Sequence, residues 1–306
     1  MGGAEKTLLN FCRFSNNQNK IICLLPYDDL ENSFRNEKVE IVYLNIIKIK
    51  NFINSIKQLK HQVKRFAPDK IICWMYLSCI TSIFLFHFKN IVYWNIRHSN
   101  FNFFYTKITT YLSVILAGFI SHLIPRKIFF CSRKSIPMHY KFFFSKKNNV
   151  YIPNGVDPNF FFFNASVREK LRKIYSIEED TFVIGNIARY NYQKDHLTLL
   201  KALSEIKKNN LNFKAILIGK NVNKSNIKLI KKVKKLNLLE NVILFDQLSN
   251  VSDFYSMFDL FVLSSSSGEG FPNVIIESQS CQTPVISTKV GDADLIIEDE
   301  ERLFDV

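Results

Sequence analysis

At 306 residues, 47% of them apolar and 22% charged, the chain has room for two soluble domains, and its composition excludes a disordered or fibrous class. The formal charge of +14 is held unevenly: up to Gly155 there are 22 Lys+Arg against 7 Asp+Glu, a net of +15, and the remainder holds 19 against 20, a net of −1. Six cysteines, at 12, 23, 73, 79, 131 and 281, form no CxxC pair and read as buried thiols in a reducing compartment, which excludes a disulfide framework and a zinc–thiolate site.

In chain order, short apolar runs alternate with helical patterns. The runs 20–25, 39–44, 70–76, 90–95, 127–131 and 150–152 read as strands, and 51–66 and 106–121 have helical periodicity. The strand runs are continuous rather than alternating, as parallel strands covered on both faces should be. The longest apolar window, Tyr111–Pro125, is too short to cross a bilayer and contains His122; it reads as a core helix or as one touching a membrane surface. Turn signals at Asn154-Gly155 and Asp157-Pro158 interrupt the pattern, so the expected domains are 1–155 and 156–306. A second series follows, with strands at 181–186, 213–218, 242–245, 260–263 and 284–287 and helices near 196–208, 226–236 and 251–257. The fold class is α/β, two tandem Rossmann-like doubly wound domains. Ligands in such folds sit at the carboxyl ends of the strands.

Two stretches carry the chemistry. In "GNIARYNYQKDH", Arg189 and Lys194 share one loop after a strand. Two cations there suit a diphosphate, whose leaving charge they would neutralise. In "SSSSGEGFPNVIIE", a strand end leads through Gly268–Pro272 into a helix that starts at about Pro272, where a missing N–H costs nothing. The backbone N–H groups of Gly270, Phe271 and Asn273 then face an anion. Glu269 lies in the loop before that helix and Glu277 inside it. Carboxylates beside a phosphate are repulsive unless they bind hydroxyls, so the pattern fits a nucleotide diphosphate carrying a polyhydroxylated group.

With these residues in view, the second half resembles the donor domain of the retaining glycosyltransferases of family 4, which have the GT-B architecture. The resemblance rests on "IPNGVD" (Ile152–Asp157), "IARYNYQKD", "ILIGK" ending at Lys220, "FYSMFDLFVLSSSSGEGFPNVIIE" with its Glu269-x7-Glu277 spacing, and "TPVISTKVGD" ending at Asp292. The first half is similar to the acceptor domain through "GGAEKTLLN", "WNIRHSN" and "IFFCSRKSIPMHY". The resemblance implies that Arg189 and Lys194 hold the donor diphosphate. It implies that Glu269 contacts the donor sugar, with Gly270, Phe271, Pro272 and Asn273 lining the same pocket, and that Glu277 binds the ribose. Gly2 and Gly3 would bring a backbone loop to the phosphates, and His98 would lie at the reacting centre. No DxD motif stands near the donor residues, so the resemblance implies transfer without a metal or cofactor and with retention, the leaving diphosphate taking the acceptor's proton.

The sequence departs from the family pattern at both ends. Family members place a buried strand before the Gly-Gly loop, whereas Met1 directly precedes Gly2 here, and they continue beyond the position of Val306. Both ends therefore read as cut, with ladder groups of the first sheet expected to lack a partner strand. The expected function is sugar transfer from a nucleotide-diphosphate sugar to a lipid-linked or polysaccharide acceptor in bacterial surface-glycan synthesis (lipopolysaccharide, capsule or exopolysaccharide). The expected location is cytoplasmic, peripheral on the inner face of the plasma membrane, with the basic half meeting an anionic membrane or lipid-diphosphate. The alternatives are a sugar-nucleotide epimerase of the same architecture and an inactive paralogue that only binds nucleotide sugar. A nucleic-acid partner is not expected, because the basic residues are not interleaved into a stacking motif.

Overall fold

The computed structural model describes residues 3–26, 34, 37, 39–46, 51–99, 107–248 and 250–306. Gly2, and Asn100 of the Trp94–Asn100 motif, lie outside the described residues. The chain divides into two compact units, Met1–Asn154 and Gly155–Val306.

The first unit begins with helix α1 (Gly3–Phe14). Gly3, expected in a loop, is thus the first residue of a helix. Leu8, Leu9 and Cys12 sit at helical spacing on its apolar face and pack with Ile21, Cys23, Val39 and Ile41. Strands β1 (Asn19–Cys23) and β2 (Val39–Tyr43) pair in parallel. Helix α2 (Phe52–Phe66) buries Ile56, Leu59 and Val63 and ends at Ala67 in the left-handed conformation. Strands β3 (Ile71–Trp74), β4 (Val92–Ile96), β5 (Lys127–Phe130) and β6 (Asn149–Tyr151) form a second parallel sheet in that order. Between them lie helices α3 (Met75–Thr81), α4 (Ile108–Ile120) and α5 (Ser135–Tyr140).

The strand expected over 70–76 stops at Trp74. Met75 has φ 68°, a left-handed conformation that turns the chain directly from strand into helix. The strand expected from 90 begins at Val92, because a 3-10 stretch over Ser82–Ile91 occupies its first residues. Among the described residues, β1–β2 and the four-stranded sheet are separate. A cavity of about 160 Å³ lies between them, lined by Ile22 of β1 and Leu24 just beyond it, Leu59 and Val63 of α2, and Ile71 and Cys73 of β3.

The second unit opens with α6 (Ala165–Ile174), capped by the Asn164 side chain accepting from the Val167 N–H. Six parallel strands follow: β7 (Phe182–Ile187), β8 (Phe213–Ile218), β9 (Val242–Phe245), β10 (Leu260–Leu263), β11 (Val285–Thr288) and β12 (Leu303–Phe304). Their spatial order is β12-β11-β10-β7-β8-β9. Helices α7 (His196–Lys208), α8 (Ile227–Lys235), α9 (Ser252–Met257), α10 (Asn273–Ser280) and α11 (Ala293–Ile296) connect them. The sheet is covered on both faces. Val183, Ile216, Phe261, Leu263 and Val285 face one apolar cluster, and Ile184, Ala215 and Leu217 face another. That two-sided burial explains the unbroken apolar runs.

A polar clamp holds α6 to this sheet. Arg168 and Arg172 donate to the two carboxylate oxygens of Asp259 at 2.5 and 2.7 Å, and the Val183 N–H donates to Asp259 Oδ2 at 2.7 Å. Arg168 also donates to the carbonyls of Ser256, Met257 and Phe258, which end α9. The order of strands reverses between β7 and β10: β7 is the first strand of its sheet, with β8 on one side and β10 on the other. The carboxyl ends of β7 and β10 therefore form the switch point, where the crevice of a doubly wound sheet lies.

Candidate functional site

The crevice beyond β7 and β10 is built by three loops. The first leaves β7 through Ala188 and Arg189 and passes Gln193 and Lys194 in a 3-10 turn, where the Asn191 side chain accepts from the Lys194 N–H. It enters α7 at Asp195, whose carboxylate accepts from Thr198. The second loop leaves β10 as Ser264–Pro272. The third leaves β11 as Lys289–Asp292.

Hydrogen bonds join all three. Ser264 Oγ donates to the Lys194 carbonyl at 3.1 Å and the Ser266 N–H to the Gln193 carbonyl at 2.8 Å. Thr288 Oγ1 donates to the Ser265 carbonyl at 2.6 Å, and the Asp292 N–H to the Gly270 carbonyl at 2.8 Å. Two glycines permit this approach. Gly268 has φ 81°, and a Cβ there would stand 2.6 Å from the Gln193 side chain. Gly291 has φ 54°, and its Cβ would stand 2.3 Å from the Gly270 carbonyl oxygen. An L side chain would therefore strain the backbone at either position, and at Gly291, where it meets main chain, it would also part the loops.

Lys194 and Glu269 meet in the crevice as an ion pair, both side chains largely covered. Ser265 Oγ donates to the same Glu269 oxygen at 2.7 Å. Gly270–Pro272 continue from Glu269 into α10. Pro272 precedes the helix as its cap residue, with ψ 97°, and Asn273 is the first helical residue; the helix expected from Pro272 thus starts one residue later. Pro272 itself makes no side-chain capping bond. Glu277 is buried on α10 and accepts a 2.8 Å hydrogen bond from the hydroxyl of Tyr255 on α9. Burial, and then the neighbouring Glu277 charge, hold the Tyr255 phenol well above its ordinary pKa, so it remains a donor. Arg189 is exposed at the end of β7, without a hydrogen bond or ion pair to other described residues. Of the two expected diphosphate cations, the fold thus joins Lys194 to Glu269 and leaves Arg189 open to solvent.

His98 belongs to the first unit, two residues beyond the end of β4. Burial pushes its pKa down. Its ring meets Tyr76 edge-on at 6.3 Å. The Tyr76 hydroxyl lies 2.8 Å from His139 Nε2, and His139 Nδ1 lies 2.7 Å from the Ser135 carbonyl. A carbonyl only accepts, so Nδ1 carries the proton and Nε2 accepts from Tyr76. Burial drives His139 down to about 4 and keeps that imidazole neutral.

Sequence reading missed Tyr255, Ser265 and the Tyr76–His139 pair. The serine run was the available signal for Ser265. All six cysteines are free thiols, and burial pushes Cys12 and Cys23 up to about 11 and Cys73 and Cys281 up to about 12. Among the described residues no cluster of three or more His, Cys, Asp or Glu could hold a metal ion, and no helix is long and apolar enough to cross a membrane.

A parallel, doubly wound sheet with its loops gathered at the switch point defines a Rossmann-like domain. Residues 167–305, most of the second unit, match the family described as glycosyl transferases group 1, in line with the resemblance its motifs carry. The O-antigen biosynthesis glycosyltransferase WclY of Escherichia coli is 31% identical over 157 residues, 51% of this chain and 42% of that protein. The N-acetylgalactosamine-N,N'-diacetylbacillosaminyl-diphospho-undecaprenol 4-alpha-N-acetylgalactosaminyltransferase of Campylobacter jejuni is 32% identical over 128 residues, 41% of this chain and 33% of that protein. The chain spans less than half the length of these curated relatives. The crystal structure of Anabaena Alr3699/HepE in complex with UDP superposes with a TM-score of 0.84 at 18% identity, covering 100% of this chain and 82% of that one. That likeness is one of fold, and it places the chain in the GT-B fold class.

Proposed function

We propose that this chain transfers a sugar from a nucleotide-diphosphate sugar to a lipid-linked or polysaccharide acceptor in bacterial surface-glycan synthesis. The observation that carries the reading is the Lys194–Glu269 pair, held at the mouth of α10 by loops from three strand ends. Lys194 and Arg189 supply positive charge for the donor diphosphate, and the N–H groups opening α10 add to it. As the glycosidic bond lengthens, charge grows on the departing diphosphate, and these fixed donors stabilise it where it develops. When donor arrives, the Lys194 ammonium turns from Glu269 toward phosphate, and the released Glu269 carboxylate accepts from sugar hydroxyls. Glu277, oriented by Tyr255, accepts from the ribose.

His98 and the Gly2-Gly3 segment belong to the acceptor-bearing first unit in this reading. We assign transfer with retention, without a metal, the leaving diphosphate taking the acceptor proton. The relatives support the acceptor class: one is named for O-antigen synthesis and another for a diphospho-undecaprenol acceptor. The location that follows is cytoplasmic, at the inner face of the plasma membrane. The test is incubation with UDP-, GDP- and ADP-sugars and a diphospho-lipid glycan acceptor, with products read by mass spectrometry and the new linkage by NMR. A lengthened glycan with the donor's anomeric configuration is expected. Epimerised donor without transfer would establish the epimerase alternative, and bound but unconsumed donor the inactive one.

A further inference from the structure

Helix α4 of the first unit presents an apolar face to solvent. Ile108, Leu112, Leu116 and Phe119 on the helix, and Leu123 just beyond it, are each between 49% and 70% exposed. Their spacings of four, four, three and four residues put them on one stripe of an α-helix. Val114, Ala117 and Ile120 on the opposite face are buried in the core of the four-stranded sheet. Phe143, also exposed, stacks on Phe119 with ring centroids 4.7 Å apart and widens the stripe, and His122 Nε2 bonds the Phe143 carbonyl to fix it there. A contiguous apolar band of this kind on a soluble unit marks an interaction surface.

The surrounding charge selects the partner. From Lys70 to Val156 the sequence holds 11 Lys+Arg and not one Asp or Glu. Lys107 caps the start of α4, Arg126 and Lys127 follow its end, and Lys141, Lys146 and Lys147 flank Phe143; all are exposed. A second copy meeting this face through a two-fold axis would set like charges against each other. An anionic bilayer satisfies both features at once, taking the apolar side chains below its headgroups and the cations among its phosphates. The 13 residues of α4 rise only about 20 Å, short of the roughly 30 Å hydrocarbon layer, so the helix lies on the surface and does not pass through it.

We propose that the exposed α4 stripe, with Phe143 and its lysine rim, docks the first unit onto an anionic membrane surface. This deepens the proposed function by naming the residues that would bring the chain to a lipid-linked acceptor. The test is co-sedimentation of the full chain with phosphatidylcholine vesicles and with vesicles containing one-third phosphatidylglycerol, at low and high salt. Neither donor nor acceptor is added, so loss of binding and loss of sugar transfer are read separately.

Binding to the anionic vesicles alone is expected, weakening steeply as salt rises. The double variant Leu112→Ser, Leu116→Ser should bind about tenfold more weakly. Its melting temperature should be unchanged, since both side chains already face water. Lys146→Glu with Lys147→Glu should weaken binding to a similar degree and flatten the salt dependence. Equal binding by wild type and the leucine variant would overturn the proposal, as would the absence of wild-type binding. So would a dimer in sedimentation velocity that the leucine variant dissociates, because a second copy would then be the occupant.

Discussion

The two units follow the same parallel α/β scheme to different ends. The second is electrically near neutral, and its six strands form one uninterrupted sheet with clusters of core residues on both faces. Its polar groups converge at the strand ends, where serine, threonine and backbone groups lock three loops around Lys194 and Glu269. The first unit carries the whole charge excess, has its strands in two separate sheets among the described residues, and leaves a stripe of large apolar side chains in water. A chain under one folding rule thus gathers its polar groups into the joined loops at the strand ends of one unit and spreads its cations over a broad surface in the other.

The sharpest way to break this comparison is to disarm the crevice. Lys194→Ala should lower transfer by about 10²–10³-fold, on the scale of removing one preorganised charge-stabilising donor, and Glu269→Ala, which removes the acceptor for the sugar hydroxyls, should lower it as well. Circular dichroism should show the secondary structure unchanged. Transfer that survives either change would move the donor elsewhere.

Next in size is the clamp on α6. Asp259→Ala strips the partner from Arg172, which is nearly buried, and from Arg168, and should destabilise the second unit by about 3 kcal/mol. In denaturant titrations the unfolding of the second unit should shift while that of the first stays in place.

A pH titration tests both units together. His139 in the first and His196 in the second are buried and both lie near pKa 4, against about 6.5 for a free histidine. Burial disfavours the charged form, so the unfolded chain binds these protons before the folded one does. The stability they permit is complete above about pH 6.5 and is lost as pH falls from there through about 4, of order 3 kcal/mol for each histidine. His139→Gln should make the first unit less sensitive to acid in that window and leave the second unit's profile alone.

The smallest effect concerns Glu277. Tyr255→Phe removes the hydroxyl that orients this carboxylate and should raise the donor KM about fivefold to tenfold, the size of one ordinary hydrogen bond because the hydroxyl acts on the ribose only through Glu277, with little change in kcat. A fall in kcat with unchanged KM would mean that Glu277 acts on the reacting sugar.

Much of this was legible in the sequence because parallel strands buried on both faces announce themselves as unbroken apolar runs. The expected bounds of the strands at 213–218, 242–245 and 260–263, and of the helix at 196–208, coincide with those observed. Short helices were harder to see. The helix over Ser135–Tyr140 contains Pro137, and that over Met75–Thr81 follows its strand without a loop, through a methionine in the left-handed region. Candidate residues were easiest to single out where they sit close in sequence, as Glu269 and Glu277 do. Contacts were hidden where partners come from distant segments: Tyr255 lies 22 residues from Glu277, and Arg172 87 residues from Asp259. The apolar stripe of α4 was visible as hydrophobicity, and only the fold decided which of its faces was left uncovered.

The most direct test of the central claim is calorimetric titration of the full chain with UDP-, GDP- and ADP-sugars, repeated with Lys194→Ala. One of these donors should bind the wild type, and the variant should bind it about a hundredfold more weakly. Wild type and variant binding with equal affinity, or no binding of any of the three, would contradict a donor crevice built around Lys194 and Glu269.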